Sequence, residues 1–190
     1  ELTGKASCIP SEKAKISVTA SAAKRAENRR TRSAKRRSRS KSRSGKHRSY
    51  FFGREIQRWS EERQAPVVAG MPTYHHHDIG LPNRFLIAGI AGGLNIDGLA
   101  HTLLEAHWRY DADLADPGTL KILAAQVGCD GLALLDSADS NTVHTSYENN
   151  TKEAVERSVF GSPTYFVDGD MFYGQDRLEM VERALAHPYR

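Results

Sequence analysis

Thr164–Val167 and Met171–Tyr173 are two short runs rich in apolar side chains, separated by the polar stretch around Asp168-Gly169. This pattern predicts two short strands joined by a tight hairpin, because a two-residue primed turn needs positive φ, which Gly tolerates and Asp accepts. Tyr165 and Val167 share one face of the first strand, and Thr164 and Phe166 share the other. After Gly174 the spacing becomes helical. Leu178, Val181 and Leu185 form a stripe with Met180 and Ala184 beside it, so the chain ends in a strand, hairpin, strand, helix unit.

Upstream, the same reading gives helices throughout. REIQRWSEERQ, from Arg54 to Gln64, sets Ile56 and Trp59 among charges and is stopped by Ala65-Pro66. Residues 71–83, MPTYHHHDIGLPN, have loop composition, and Pro82 opens a helix carrying Phe85, Leu86 and Ile90 that closes at Gly92-Gly93. Asp97 starts a helix whose Leu99, Leu103, Ala106, Trp108 and Tyr110 predict deep burial. Asp116-Pro117 is a capped start for the next. Further helices are expected over Gly131–Ala138 and Asn141–Ser158, the last with Val143, Tyr147 and Val155 apolar. A run of helices followed by a hairpin and a terminal helix predicts a mixed α/β fold with the helices gathered in one subdomain, over residues 50–158, and a ββα unit over 159–190.

Charge divides the 190 residues sharply. Up to Ser49 there are 16 Lys and Arg against 3 acids, a balance of +13, whereas the remainder is −9, leaving the modest total of +4. Residues 24–49 are Arg/Ser-rich and nearly devoid of apolar side chains, so they cannot bury enough surface to offset their ordering entropy. Residues 1–49 are expected to be disordered. No apolar run reaches the length of a membrane span, and the first twenty residues lack the apolar centre of a signal peptide, so a cytoplasmic protein is the expectation. Cys8 and Cys129 stand far apart with no CxxC, which supports neither a redox pair nor a zinc site. Cys8 reads as a free tail thiol and Cys129 as a small buried hydrophobe. His75-His76-His77 reads as a solvated loop ahead of a metal site, because consecutive side chains point apart, and no metal is expected. Glu105 and Asp111 read as ordinary surface charges.

The stretch ERSVFGSPTYFVDGDMFYGQDRLEMVERAL, together with PNRFLIAGI and ENNTKEAVERSVFGSPT, resembles the 2-hydroxychromene-2-carboxylate isomerases. These are DsbA-like members of the thioredoxin superfamily, close to kappa-class glutathione transferases. The resemblance spans about Tyr50 to Leu185. It is most specific in GSPT followed, thirteen residues after its proline, by the Asp of GQDRL. It implies a thioredoxin-like, DsbA-like fold with a helical insertion, truncated at its start, and a cis Ser162–Pro163 bond. It implies glutathione as cofactor, with Ser162 and Pro163 at its cysteinyl part and Gln175, Asp176 and Arg177 at its γ-glutamyl end, beside a helix N-terminus. Asn83 resembles a polar position lining the family's substrate cleft, where a small aromatic carboxylate would bind. A homodimer is among the assemblies that the resemblance allows.

Local readings of the same residues stand beside these. Asp176 with Glu179 has capping-box spacing, Asn83 at a helix start has the ordinary role of a cap, and Pro163 alone suits a trans strand start. The family's opening strand, FYFDFxSPxAY, and the serine that favours the glutathione thiolate have no counterpart in residues 1–49, so no catalytic residue is assigned. Without that strand, Thr164–Val167 would keep an open edge. Either a shifted reading frame or a basic arm in place of the strands accounts for the text. The functional expectation is a glutathione-dependent cis–trans isomerase of aromatic-compound degradation, impaired by the missing serine. A glutathione transferase-like or disulfide oxidoreductase-like DsbA-family protein is the alternative, the latter disfavoured by the lack of CxxC. From another class comes non-specific nucleic-acid binding through residues 24–49, with few aromatics in the arm for stacking on bases.

Overall fold

The computed structural model describes residues 50–190 throughout, together with the backbone of residues 14–17 and 44–49. It divides into two compact units, residues 34–147 and residues 148–190 with 1–33.

In the first unit, α1 (Ser44–Glu62), α2 (Gly80–Ala91), α3 (Asp97–Tyr110), α4 (Pro117–Gln126) and α5 (Gly131–Ala138) are followed by α6 (Asn141–Glu156), within which the division between the units falls. Their starts and stops are local chemistry. Asp116 accepts from Thr119 N at 2.8 Å with Pro117 at the first helical position, and Asp130 accepts from Leu132 N and Ala133 N, both at 3.0 Å. Each carboxylate satisfies N–H groups that have no intrahelical acceptor. The core joins Phe85 and Ala88 of α2, Leu99, Leu103 and Ala106 of α3, Leu120, Leu123 and Ala124 of α4, Leu134 and Ala138 of α5, and Val143. Cys129 is a free thiol, half-buried and packed against this cluster, while Cys8 lies outside the described residues. Tyr110 is 64 % exposed, which corrects its expected burial: it follows the last buried turn of α3, so its ring leaves the core and Arg109 lies over it.

In the second unit, β1 (Ala14–Ser17), β2 (Thr164–Val167) and β3 (Asp170–Tyr173) form an antiparallel sheet in the order β1-β2-β3. A 3₁₀ turn, Gln175–Arg177, leads into α7 (Leu178–Ala186). The hairpin closes at Asp168 (φ 49°) and Gly169 (φ 88°), the two positive values a primed turn requires. The alternation of β2 sorts its faces as expected. Phe166 joins Ala154 and Val159 with Met171 on one side, and Val167 joins Phe172, Val181 and Ala184 with Tyr165 on the other.

Two expectations change. β1 pairs along the whole of β2, from Ala14 opposite Val167 to Ser17 opposite Thr164, so the edge expected to be open carries a strand. α1 begins at Ser44, ten residues before the expected Arg54. Residues 14–17 and 44–49 are therefore ordered elements within the segment expected to be disordered. Ladder hydrogen bonds and helix continuation supply there what local hydrophobicity does not. The rest of that expectation lies outside the described residues. In α7 the buried stripe is Val181 and Ala184, whereas Leu178 and Leu185 are 47 % and 40 % exposed, correcting the wider stripe read from spacing.

Candidate functional site: the Gly161–Thr164 loop and the Gly174–Arg177 turn

The loop between α6 and β2 is built by residues that tie it to β3. Thr164 is wholly buried and donates from Oγ1 to the Gly161 carbonyl at 2.7 Å, which satisfies a hydroxyl that would otherwise be costly inside. Gly174 N donates to the Pro163 carbonyl at 3.0 Å, extending the β2–β3 ladder past the strand end. Between these two bonds the Ser162–Pro163 peptide is cis, as expected. Ser162 is exposed, and its backbone N–H and C=O make no hydrogen bond among the described residues.

Gly161 has a steric reason to be glycine. A Cβ there would stand 2.4 Å from Cε2 and 2.8 Å from Cζ of Tyr173. The Tyr173 ring therefore lies directly on the loop backbone, and the Phe160 ring packs against it at 4.6 Å between centroids. Gly174, at φ 111°, turns the chain away from β3 and brings Asp176 Oδ1 against its own Cα. Arg177 N then donates to the Gly174 carbonyl at 3.2 Å, closing the 3₁₀ turn.

This turn corrects one reading. Asp176 is not a cap: no side chain caps the 3₁₀ turn or α7, because Asp176 lies inside the turn and its carboxylate points back toward Gly174 and Arg177. Its Oδ2 is 3.6 Å from Arg177 Nη1, and both side chains are about half exposed. Exposed Gln175, the Asp176 carboxylate and the Arg177 guanidinium thus follow the Pro163–Gly174 bond in one short turn. The sheet unit brings Ser162 and Pro163 to one end of β2 and Gln175, Asp176 and Arg177 to the end of β3 bonded beside it.

Asn83 belongs to the helical unit and is half-buried within α2, where its N–H donates to Ile79 O at 3.2 Å. It is not a cap either, since α2 begins at Gly80, three residues before it. Beside it Arg84 Nε donates to Ala138 O at 3.2 Å and its guanidinium approaches Asp139 at 3.6 Å.

The histidine loop is mostly exposed, as its composition suggested, with His75 half-buried, and several of its polar groups are fastened to the end of α3. Thr73 donates from N and Oγ1 to the Asp111 carboxylate, both at 2.6 Å, and His77 Nδ1 meets Asp113 at 2.9 Å. His75 Nδ1 lies 3.1 Å from His107 Nε2, while His107 Nδ1 lies 3.1 Å from the Ala112 carbonyl. A carbonyl only accepts, so His107 carries a proton on Nδ1, and in the neutral ring its Nε2 is then the acceptor for His75 Nδ1–H. Burial, then His107, then His76 hold the His75 pKa below the ordinary histidine value, and the hydrogen bonds from Thr73 hold Asp111 below the ordinary carboxylate range. Among the described residues no group of three or more His, Cys, Asp or Glu is placed to hold a metal ion. Glu105 pairs with Arg109 at 2.7 Å and Asp111 with Thr73, so these two carboxylates do not work as a pair. The clasp of His75 on His107 had no sequence signal beyond the run of histidines itself.

A helical unit together with a β-β-α unit that carries a cis-proline loop defines a thioredoxin-like class of protein. A family model described as a DSBA-like thioredoxin domain matches residues 19–186, and the chain belongs to this family. It is 30 % identical over 135 residues to a 2-hydroxychromene-2-carboxylate isomerase of Pseudomonas sp. (strain C18), covering 69 % of this chain and 59 % of that one. It is 38 % identical over 134 residues to the enzyme of the same name from Pseudomonas putida, covering 69 % and 62 %. A solved 2-hydroxychromene-2-carboxylate isomerase superposes with a TM-score of 0.57 at 26 % identity, over 72 % of this chain and 65 % of that one. The chain thus spans about three fifths of the length of these curated relatives. The DsbA-like thioredoxin fold and the kinship expected from GSPT and GQDR are both present. Among the described residues no helix is long and apolar enough to cross a membrane.

Proposed function

We propose that this chain is a glutathione-dependent cis–trans isomerase acting on a 2-hydroxychromene-2-carboxylate or a similar product of aromatic-compound degradation. The observation that carries the reading is exposed Ser162, whose N–H and C=O make no hydrogen bond among the described residues while Thr164 and Gly174 hold the loop on either side. The names of the relatives point the same way.

The residues present fit glutathione. Ser162 offers one donor and one acceptor just ahead of β2, the complement of a peptide backbone laid alongside. The Asp176 carboxylate suits the γ-glutamyl ammonium. Arg177 and the leading N–H groups of the turn suit its carboxylate. Bound glutathione would supply the sulfur nucleophile. The chain's part is to orient it and to exclude wrong geometries, with Asn83 as a polar contact for the substrate. No residue is assigned to forming the thiolate, and a free thiol with a pKa near about 8.5 is only a few per cent ionised at neutral pH.

Isothermal titration with reduced glutathione, beside an assay following loss of 2-hydroxychromene-2-carboxylate, tests this. Saturable binding that Asp176→Ala weakens by about tenfold is expected, since charge-assisted bonds carry about 1.5–3 kcal/mol. Absence of saturable binding up to the solubility of glutathione, or isomerisation that proceeds equally without it, would sink the reading.

A further inference from the structure

We propose that the His75 side chain is a proton-operated flap over Trp108, shut while the His75–His107 pair carries at most one positive charge and released when it carries two. The half-buried His75 ring lies between two partners on α3. It stacks on His107 at 5.4 Å between centroids, with the ring planes 24° apart, and tilts against Trp108 at 5.1 Å. His75 Nδ1 and His107 Nε2 face each other at 3.1 Å, while His107 Nδ1 is bound to the Ala112 carbonyl. The neutral pair therefore shares one hydrogen along this line, with His75 as donor. One added proton leaves the line intact, because a single hydrogen still lies between the facing nitrogens whichever ring is charged. A second puts an N–H on both, so the acceptor disappears and two cations stand with nitrogens 3.1 Å apart.

The fastenings on either side of His75 respond to acid differently. Thr73 donates from N and Oγ1 to the Asp111 carboxylate, and these bonds hold Asp111 below the ordinary carboxylate range, so they survive throughout the histidine range. His77 Nδ1 donates to Asp113 at 2.9 Å, and a charge on His77 strengthens that bond. Val68 N donates to the Trp108 carbonyl at 2.8 Å, a link with no titrating group. Acid therefore unties the middle of the segment and leaves its ends in place.

The titratable groups around His75 are His76 and His77 in its own segment, His107 on α3, and Asp111 and Asp113 just beyond α3. Burial, then His107, then His76 disfavour its charged form. Among the described residues no carboxylate is hydrogen-bonded to His75, so a ring that has lost its acceptor gains most by turning into water. Its departure opens one face of Trp108 and Nε2 of His107 to solvent, a surface covered at neutral pH. The inference is independent of the proposed isomerase reading.

The sequence has two tryptophans, so the full chain carrying Trp59→Phe reports on Trp108 alone. Acrylamide quenching of its fluorescence from about pH 8 to about pH 4.5 reads the flap, and the imidazole resonances of the unsubstituted chain count the protons on His75 and His107. The quenching constant should stay level through the first proton and rise about twofold with the second, while far-UV circular dichroism holds constant. His107→Gln should abolish the rise, because a glutamine carbonyl still accepts from a charged His75 and never becomes a cation. A rise that follows the first proton, a rise of equal size in His107→Gln, a level constant across the whole range, or loss of the helical signal at the same pH would each overturn the proposal.

Discussion

At the scale of single residues, the Gly161–Tyr173 contact decides whether the loop before Pro163 can take its shape. The phenol ring occupies the space of a Cβ at position 161, while Thr164 Oγ1 binds the carbonyl of the same residue. Gly161→Ala should therefore destabilise the sheet unit by about 1–3 kcal/mol, the usual cost of forcing an extra carbon into a filled site. Tyr173→Ala in the same chain should recover much of that loss, because it removes the ring that the methyl meets. A thermal double-mutant cycle measures the coupling, and additive losses would show that the ring is not the obstacle. The requirement was invisible in the string GSPT: glycine before Ser-Pro reads as loop composition, and only the approach of a ring twelve residues later shows why no side chain fits.

At the scale of elements, the loop over residues 73–77 is fastened to the end of α3 by Thr73–Asp111, His75–His107 and His77–Asp113. The His75 link is sensitive to protons. Its folded pKa lies below the ordinary value of about 6.5, so the unfolded chain binds the proton more readily and stability falls as pH drops through the interval from about 6.5 down to the folded pKa. Above that interval the contribution is complete. Thermal melting should show Tm declining as the buffer goes from pH 7 to pH 5.5, and His75→Gln should flatten this dependence. An unchanged slope in the variant would assign the effect to other groups. Sequence periodicity placed α3 correctly but not this clasp, since partners more than thirty residues apart leave no periodic mark.

At the scale of the molecule, the two units respond differently to a ligand held by the sheet unit alone. A ligand that binds only folded protein stabilises it by RT ln(1 + [L]/Kd), about 1.4 kcal/mol when free ligand is tenfold above Kd. On the proposed reading, glutathione should slow amide exchange around β2, β3 and α7 while leaving the buried core at Leu99, Leu120 and Phe85 in the helical unit unchanged. Uniform protection, or protection confined to the helical unit, would place the ligand elsewhere.

What the sequence alone determined is local. The Asp168-Gly169 turn, the capped start at Asp116, the stop at Gly92-Gly93 and the two faces of β2 follow from φ preferences, capping and a period of two, all of which act over a few residues. The paired motif GSPT and GQDR marked both ends of the candidate site, because each is contiguous in the chain. Only the tertiary structure decided that Ala14–Ser17 lies on β2, some 150 residues away, since a four-residue alternation names no partner and the ladder bonds are made to a distant strand. It also decided that Asp176 faces Arg177 and Gly174 in place of capping a helix, and that Leu178, Leu185 and Tyr110 stay exposed. Spacing says which residues share a face, but burial depends on whether another element arrives to cover it.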